Sequence, residues 1–165
     1  MSLAYLPEHA GSALLALELA EKEVVHLAYT HRTLFAQPID LQWVQALAKR
    51  EDLAEKIDAF VRRFGRLQDH IGEKLIPRFA ALLGSVPKSL LDNLAYAERT
   101  GWIDSAEEFV GARKLRNLLV HEYMSVAELF LESLQAADGA AHMLIDVVTR
   151  IKQQADTLGI NKSKQ

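Results

Sequence analysis

The 165 residues of this chain, half of them hydrophobic and a quarter charged, suffice for one domain with a substantial core, which disfavours a disordered chain or two full domains. Because the sequence contains no cysteine, disulfides, zinc–thiolate sites and cysteine nucleophiles are excluded. The formal net charge of −3 argues mildly against a broad nucleic-acid-binding surface, since such surfaces usually carry a basic surplus.

The sequence of the first 49 residues predicts two helices joined by a loop. Glycine and proline are scarce, which favours helices over strands. A first helix is expected over roughly residues 7–30, because Pro7 suits a first helical turn. A loop at 31–40 and a short helix at 41–49, capped by Asp40, are expected to follow.

A long helix is predicted next, because apolar residues recur at steps of four and three from Leu53 to Ile71. Gly72 and Pro77 predict a bend or break at its end, and Gly84 predicts a stop. A short helix is then expected over residues 87–96.

Two capping boxes bracket the following helix. Ser105 with Glu108 predicts its start, and Ser125 with Glu128 predicts the start of the last helix, which extends to about residue 158. The sequence thus predicts an all-α fold, an antiparallel bundle of about five helices. We expect a single domain over residues 1–160 and a frayed tail over 161–165.

The sequence RNLLVHEY closes the helix between the two boxes and contains Arg116, Asn117, His121 and Tyr123. On a helix, Asn117 and His121 share a face, and Arg113 extends it by one turn. Arg116 and His121, however, point about 140° apart. Arg116 therefore reaches around the helix, or the helix ends before Tyr123, or two copies of the chain complete one site.

This octapeptide resembles the signature of the HEPN superfamily, and particularly the R-x-x-x-x-H-x-Y pattern of its HepT ribonuclease toxins. Arg116, His121 and Tyr123 match that pattern, and Asn117 matches the residue that often follows the arginine. The resemblance covers roughly residues 64–123. It implies a helical homodimer, metal-independent RNA cleavage, an MNT-type nucleotidyltransferase antitoxin as partner, and silencing by adenylylation of Tyr123.

The residue types suit this chemistry. His121 can move protons near neutral pH and Arg116 can bind phosphate oxygens, so we expect both to be catalytic. The nucleophile would be the 2′-OH of the RNA. Arg113 and Lys114 would add positive potential for binding the RNA backbone. In the alternative interpretation, His121 satisfies a buried hydrogen bond and the basic residues form an ordinary solvated face.

Asp69 and Glu73 lie four residues apart on the preceding long helix, and one of them could orient Arg116 or His121. The histidines at positions 26 and 31 do not have the spacing of a helical metal pair, so neither a metal nor a cofactor is expected.

Two functions remain open, a ribonuclease toxin and a non-catalytic substrate-binding partner of a nucleotidyltransferase. The first residues do not predict a signal peptide, and no apolar stretch is long enough to span a membrane. A cytoplasmic protein is therefore expected.

Overall fold

The computed structural model describes residues 4–86, 88–121 and 126–160, with only the backbone at His121. Within these ranges every regular element is helical, so the predicted all-α fold is confirmed. The α-helices are α1 (Ala10–Leu34), α2 (Leu41–Ala46), α3 (Glu51–His70), α4 (Ile76–Leu82), α5 (Leu90–Thr100), α6 (Ala106–His121) and α7 (Ala127–Leu158).

Side-chain contacts give the directions of the helices. Arg63 of α3 donates to the carbonyl of His26 at 3.1 Å, whereas Arg78 of α4 donates to that of Ser12 at 3.2 Å. Residues later in α3 and α4 contact residues earlier in α1, so α3 and α4 both lie antiparallel to α1. Similarly, Asp104, which precedes α6, lies 2.8 Å from Arg150 near the end of α7. Since α6 leads into α7, this ion pair makes them an antiparallel pair as well.

The core is centred on one face of α3. Helix α1 packs against α3 and α7, while α6 packs against both α3 and α7. The buried face continues through the end of α3, with side chains that are fully inaccessible to solvent: Phe60, Phe64, Leu67, Ile71 and Leu75. The spacing that predicts the long helix is therefore the spacing of its buried face.

The first helix extends further than predicted. Residues 31–34, expected in a loop, form the last turn of α1. The reason is burial, because Leu27, Thr30, His31 and Leu34 continue one inward-facing stripe at helical spacing. The short helix at 41–49 is present as α2 followed by a 3-10 turn, and Asp40 caps it by accepting a hydrogen bond from the Trp43 amide at 2.8 Å.

The expected bend near Gly72 and Pro77 takes the form of a π-helical turn, Ile71–Leu75, that joins α3 directly to α4. Pro77 cannot donate the amide hydrogen bond that a regular α-helix requires, and its ring crowds the preceding turn. The wider turn accommodates this defect without ending the helix.

The capping predictions have different outcomes. Ser105 accepts a hydrogen bond from the Glu108 amide at 3.2 Å, as predicted. The helix expected from residue 87 begins instead at Leu90, because Ser89 caps it. Ser125 lies outside the described residues, and α7 begins after Val126, whose side chain makes no capping hydrogen bond. The tail at 161–165 also lies outside them.

Among the described residues, no helix is both long enough and apolar enough to cross a membrane.

Candidate functional site

Arg116 of α6 is positioned by contacts with α3. Its Nη1 atom lies 3.4 Å from the Asp69 Oδ2 atom, and the two side chains are 38% and 35% exposed. A partly exposed ion pair of this kind contributes little to stability, about 0–1 kcal/mol. Its main effect is to orient the guanidinium group while leaving it within reach of a ligand.

A glycine makes this arrangement possible. Gly65 is buried in the C-terminal third of α3, and a Cβ atom there would lie 2.7 Å from the Arg116 Nε atom and 3.2 Å from Cζ. Glycine inside a helix costs roughly 0.5–1 kcal/mol relative to alanine. Here it provides the notch in which the Arg116 side chain lies.

A cavity of about 450 Å³ lies beside this ion pair. Asp69 borders it together with Glu73 of the π-helical turn and Arg113 of α6, one turn before Arg116. The cavity lies where three segments meet: α5 packs against the π-helical turn that follows α3, and α6 packs against α3 itself. Its remaining wall is formed by Gln68, Gly72, Pro77, Lys88, Ser89, Leu90, Asn93 and Phe109.

Two amide side chains in the cavity wall have polar atoms without a protein partner. Gln68 is 1% exposed, and neither its Nε2 nor its Oε1 atom has a hydrogen-bond partner. Asn93 is 8% exposed, and its Oδ1 atom also has none. An unpartnered buried polar group costs about 1–3 kcal/mol. Both residues border the cavity, although these particular atoms are themselves inaccessible to solvent, so a ligand or water would reach them only after the amide side chains rotate.

The other residues singled out in the sequence lie around this centre. Arg113, Lys114, Asn117 and Glu73 are exposed, and only the first and last of these line the cavity. The backbone of α6 is helical as far as His121, so the angular separation between positions 116 and 121 applies. The His121 side chain and the whole of Tyr123 lie outside the described residues, so their roles stay predictions.

The basic run around Phe64 divides between two faces of α3. Arg62 borders a smaller hollow, about 250 Å³, together with Arg116. Arg63 instead donates hydrogen bonds to the His26 carbonyl and the Thr30 hydroxyl of α1. Only Arg62 is therefore placed beside the candidate site.

Arg66 also faces α1, in a hollow that contains Glu23. Burial raises the pKa of the Glu23 carboxyl, and electrostatic interactions with His70 and Arg66 oppose this rise.

Gly65, Gln68 and Asn93 were not identified from the sequence. A glycine within a strongly periodic helix is a weak signal of a close approach, but nothing in the sequence indicates which side chain approaches. The amides give no signal, because their lack of partners depends on how α3, α5 and α6 pack.

No protein-family model, curated protein or solved structure matches this chain significantly. The site is accordingly interpreted from its own residues.

The substitution Gln68→Met tests whether the buried amide contributes to stability. Methionine has a similar volume and no polar atoms that need partners, so we expect the free energy of unfolding to rise by about 1 kcal/mol. Gln135→Met is the control, because the Gln135 side chain donates to the Ile39 carbonyl at 3.0 Å. Its loss should not stabilise the protein. Urea denaturation measures both, and a marked loss of stability in Gln68→Met would contradict the expectation.

Proposed function

We propose that this chain is a HEPN-type ribonuclease toxin of the HepT branch. In the proposed reaction the 2′-OH of the RNA attacks the adjacent phosphate, and no metal ion is needed. The observation that carries the proposal is the placement of Arg116, held by Asp69 over the notch at Gly65. It supports a phosphate-binding role because the guanidinium is oriented and still accessible.

The proposed reaction is a transesterification at one phosphodiester of the RNA. The 2′-oxygen forms a bond to the adjacent phosphorus, the bond to the 5′-oxygen breaks, and the products are a 2′,3′-cyclic phosphate and a 5′-hydroxyl. One proton leaves the 2′-OH and one joins the 5′-oxygen; His121 makes one of these two transfers and solvent water makes the other. Arg116 stabilises the extra negative charge on the phosphoryl oxygens as the bonds change.

Local charge supports RNA binding despite the acidic total. Arg62 lies beside Arg116, and Arg113 lies on the cavity wall next to Asp69. Lys114 is exposed on the same helix. Asp58, Asp69 and Glu73 border the same two hollows, so the local excess of positive charge is small, and these cations attract a phosphate backbone at short range.

The cavity is a suitable place for a base next to the scissile phosphate. Amide side chains form hydrogen bonds with base edges, and Gln68 and Asn93 border the cavity with amide atoms that are unpartnered but buried beneath its surface. A base bound there would reach these atoms after a rotation of the amide side chains, and Asp69, which borders the cavity, connects it to Arg116. The cavity thus supports a nucleotide ligand better than a purely apolar one.

Arg116→Ala and His121→Ala should each abolish RNA cleavage, lowering the rate by at least about 100-fold, because proton transfer and charge stabilisation each contribute on that scale. Melting temperatures should stay within a few degrees for Arg116→Ala, since the Asp69 ion pair is half-exposed. Cleavage by the wild-type chain should be unchanged by a chelator.

The matched controls are Arg99→Ala and His26→Ala, which remove the same residue types elsewhere and should retain activity. Cleavage that persists in both Arg116→Ala and His121→Ala would remove the motif from the reaction. A wild-type chain without any cleavage would favour the non-catalytic partner of a nucleotidyltransferase.

Gly65→Ala separates the position of Arg116 from the stability of the fold. The new Cβ must displace the guanidinium, because it would otherwise lie 2.7 Å from the Nε atom. A misplacement of about 1 Å can reduce activity roughly 100-fold, whereas the better helix propensity of alanine offsets the lost contact. We expect cleavage to fall at least tenfold with the unfolding free energy nearly unchanged.

Gly139→Ala is the control for this substitution, because it makes the same change inside α7 and its Cβ would meet no atom within 4 Å. It should leave cleavage intact. If Gly65→Ala were as active as Gly139→Ala, the position of Arg116 over α3 would have no role in the reaction.

Exposed apolar side chains between the two motif positions support a homodimer. Leu118 and Val120 are 37% and 52% exposed, and positions 116 and 121 are separated by about 140° around α6. A two-fold contact here would bury apolar surface and bring both motif copies to one cleft.

A shared cleft predicts complementation between inactive chains. Mixing Arg116→Ala with His121→Ala under conditions of subunit exchange should restore part of the cleavage, because the shared cleft of a mixed dimer then contains one intact Arg116 and one intact His121, from different chains. Each variant incubated alone is the control. A mixture that stays inactive although mass spectrometry shows mixed dimers would assign both residues to the same chain.

Tyr123 is the proposed point of control by a nucleotidyltransferase of the MNT type. An AMP group on its hydroxyl would place a phosphate two residues from His121, where it could pair with Arg116 and exclude RNA. Incubation with such an enzyme and ATP should raise the mass of the chain by AMP units and stop cleavage. Tyr123→Phe should remain active and unlabelled, and labelling of that variant would contradict the assignment.

A further inference from the structure

Three side chains that can bind metal ions converge where α1 packs against α7. They are His31 from the last turn of α1, and Asp138 and His142 from α7. One ligand atom from each lies within 4.8 Å of the other two. None of them borders the cavity next to Arg116.

The three groups already face one another. The His31 Nε2 atom lies 2.7 Å from the Asp138 Oδ1 atom, and the His142 Nε2 atom lies 3.8 Å from that same oxygen. The two imidazole rings are 4.6 Å apart and nearly perpendicular. Both Nε2 atoms and one carboxylate oxygen therefore lie within one small volume.

The surroundings hold His31 in place and leave the other two groups open. The His31 ring packs against Phe35 and Phe60, with centroid distances of 5.2 and 6.4 Å, and the residue is 9% exposed. Asp138 and His142 lie four residues apart on one face of α7, and their side chains are 47% and 73% exposed. An ion can thus enter from solvent and meet one fixed ligand and two adjustable ones.

We propose that His31, Asp138 and His142 form a binding site for a divalent transition-metal ion, with Zn²⁺ as the best fit. Two imidazoles and one carboxylate are ligands that zinc prefers, at about 2.0–2.2 Å, and such sites commonly complete a tetrahedron with water. Tetrahedral bonds of that length separate the ligand atoms by roughly 3.4 Å, within the spread of the present distances. Modest rotations of the two α7 side chains complete the site.

The bound ion would cross-link the end of α1 to the middle of α7. It replaces the hydrogen bond between His31 and Asp138, because His31 binds a metal through the unprotonated Nε2 atom. The consequence is added stability of the bundle, since an ion that binds only the folded state favours it by mass action. This role is independent of RNA cleavage and of the residues at the end of α6.

The test titrates the untagged, chelator-treated chain with ZnCl₂, using calorimetry for affinity and thermal unfolding for stability. We expect one ion per chain, and at a free concentration of about 100 times the Kd a rise in Tm of roughly 5 °C or more. Loss of a direct ligand in His142→Ala should weaken binding at least about 100-fold, since even indirect contacts to a metal are worth 10- to 100-fold.

The variants are chosen so that a loss of zinc binding is not caused by a loss of the folded state. His142 is exposed, so its removal leaves the hydrogen bond between His31 and Asp138 intact. His26→Ala is the matched control, because it removes an exposed histidine from α1 and should bind zinc as the wild type does. Co²⁺ provides a second measurement, since a tetrahedral site gives an intense visible absorption that should disappear in His142→Ala.

Absence of saturable binding, or equal affinity in the wild type and His142→Ala, would overturn the proposal and leave the cluster as a hydrogen-bonded contact between α1 and α7. RNA cleavage is measured in parallel with and without zinc. Loss of zinc binding with intact cleavage in His142→Ala would show that the two sites are separate. Zinc binding in a chain without ribonuclease activity would support the metal site and reject the proposed function.

Discussion

The buried face of α3 is the constraint on which the rest of the bundle depends. Phe60, Phe64 and Leu67 are completely inaccessible to solvent, and each such burial is worth roughly 1.5–3 kcal/mol. Because α1, α6 and α7 all pack on this helix, residues at the edges of its buried face are held in fixed positions. Gly65 and Asp69 occupy such edge positions, which is why they can fix a side chain that reaches over from α6.

Several features that are unfavourable for stability occur beside α3 and α6. A helix-interior glycine at position 65, a π-helical turn and the unpartnered amides of Gln68 and Asn93 all occur there. Each works against the stability of a helical bundle, and local departures of this kind are typical of functional sites. Their coincidence with Arg116 supports a binding role for this region independently of any motif.

The net charge proved a weak guide to the local surface, because many basic side chains are used in packing. Arg63 and Arg78 donate to backbone carbonyls of α1, and Arg150 pairs with Asp104 and Asp146. Arg62 and Arg113 instead border the hollows next to Arg116 and Asp69. The tertiary arrangement therefore determines which cations are available to a phosphate backbone.

The sequence by itself determined the helical fold class, the long α3 with its buried face and the cap of α6 at Ser105, because these depend on spacing and on contacts within a few residues. It also singled out Arg116, through a local pattern on one helix. Only the tertiary structure decided that Asp69 contacts Arg116, that Gly65 makes room for it, and that His31 meets His142. These contacts join residues from separate helices. The side chains that meet are determined by the crossing angles and rotations of the helices, and local spacing does not specify these.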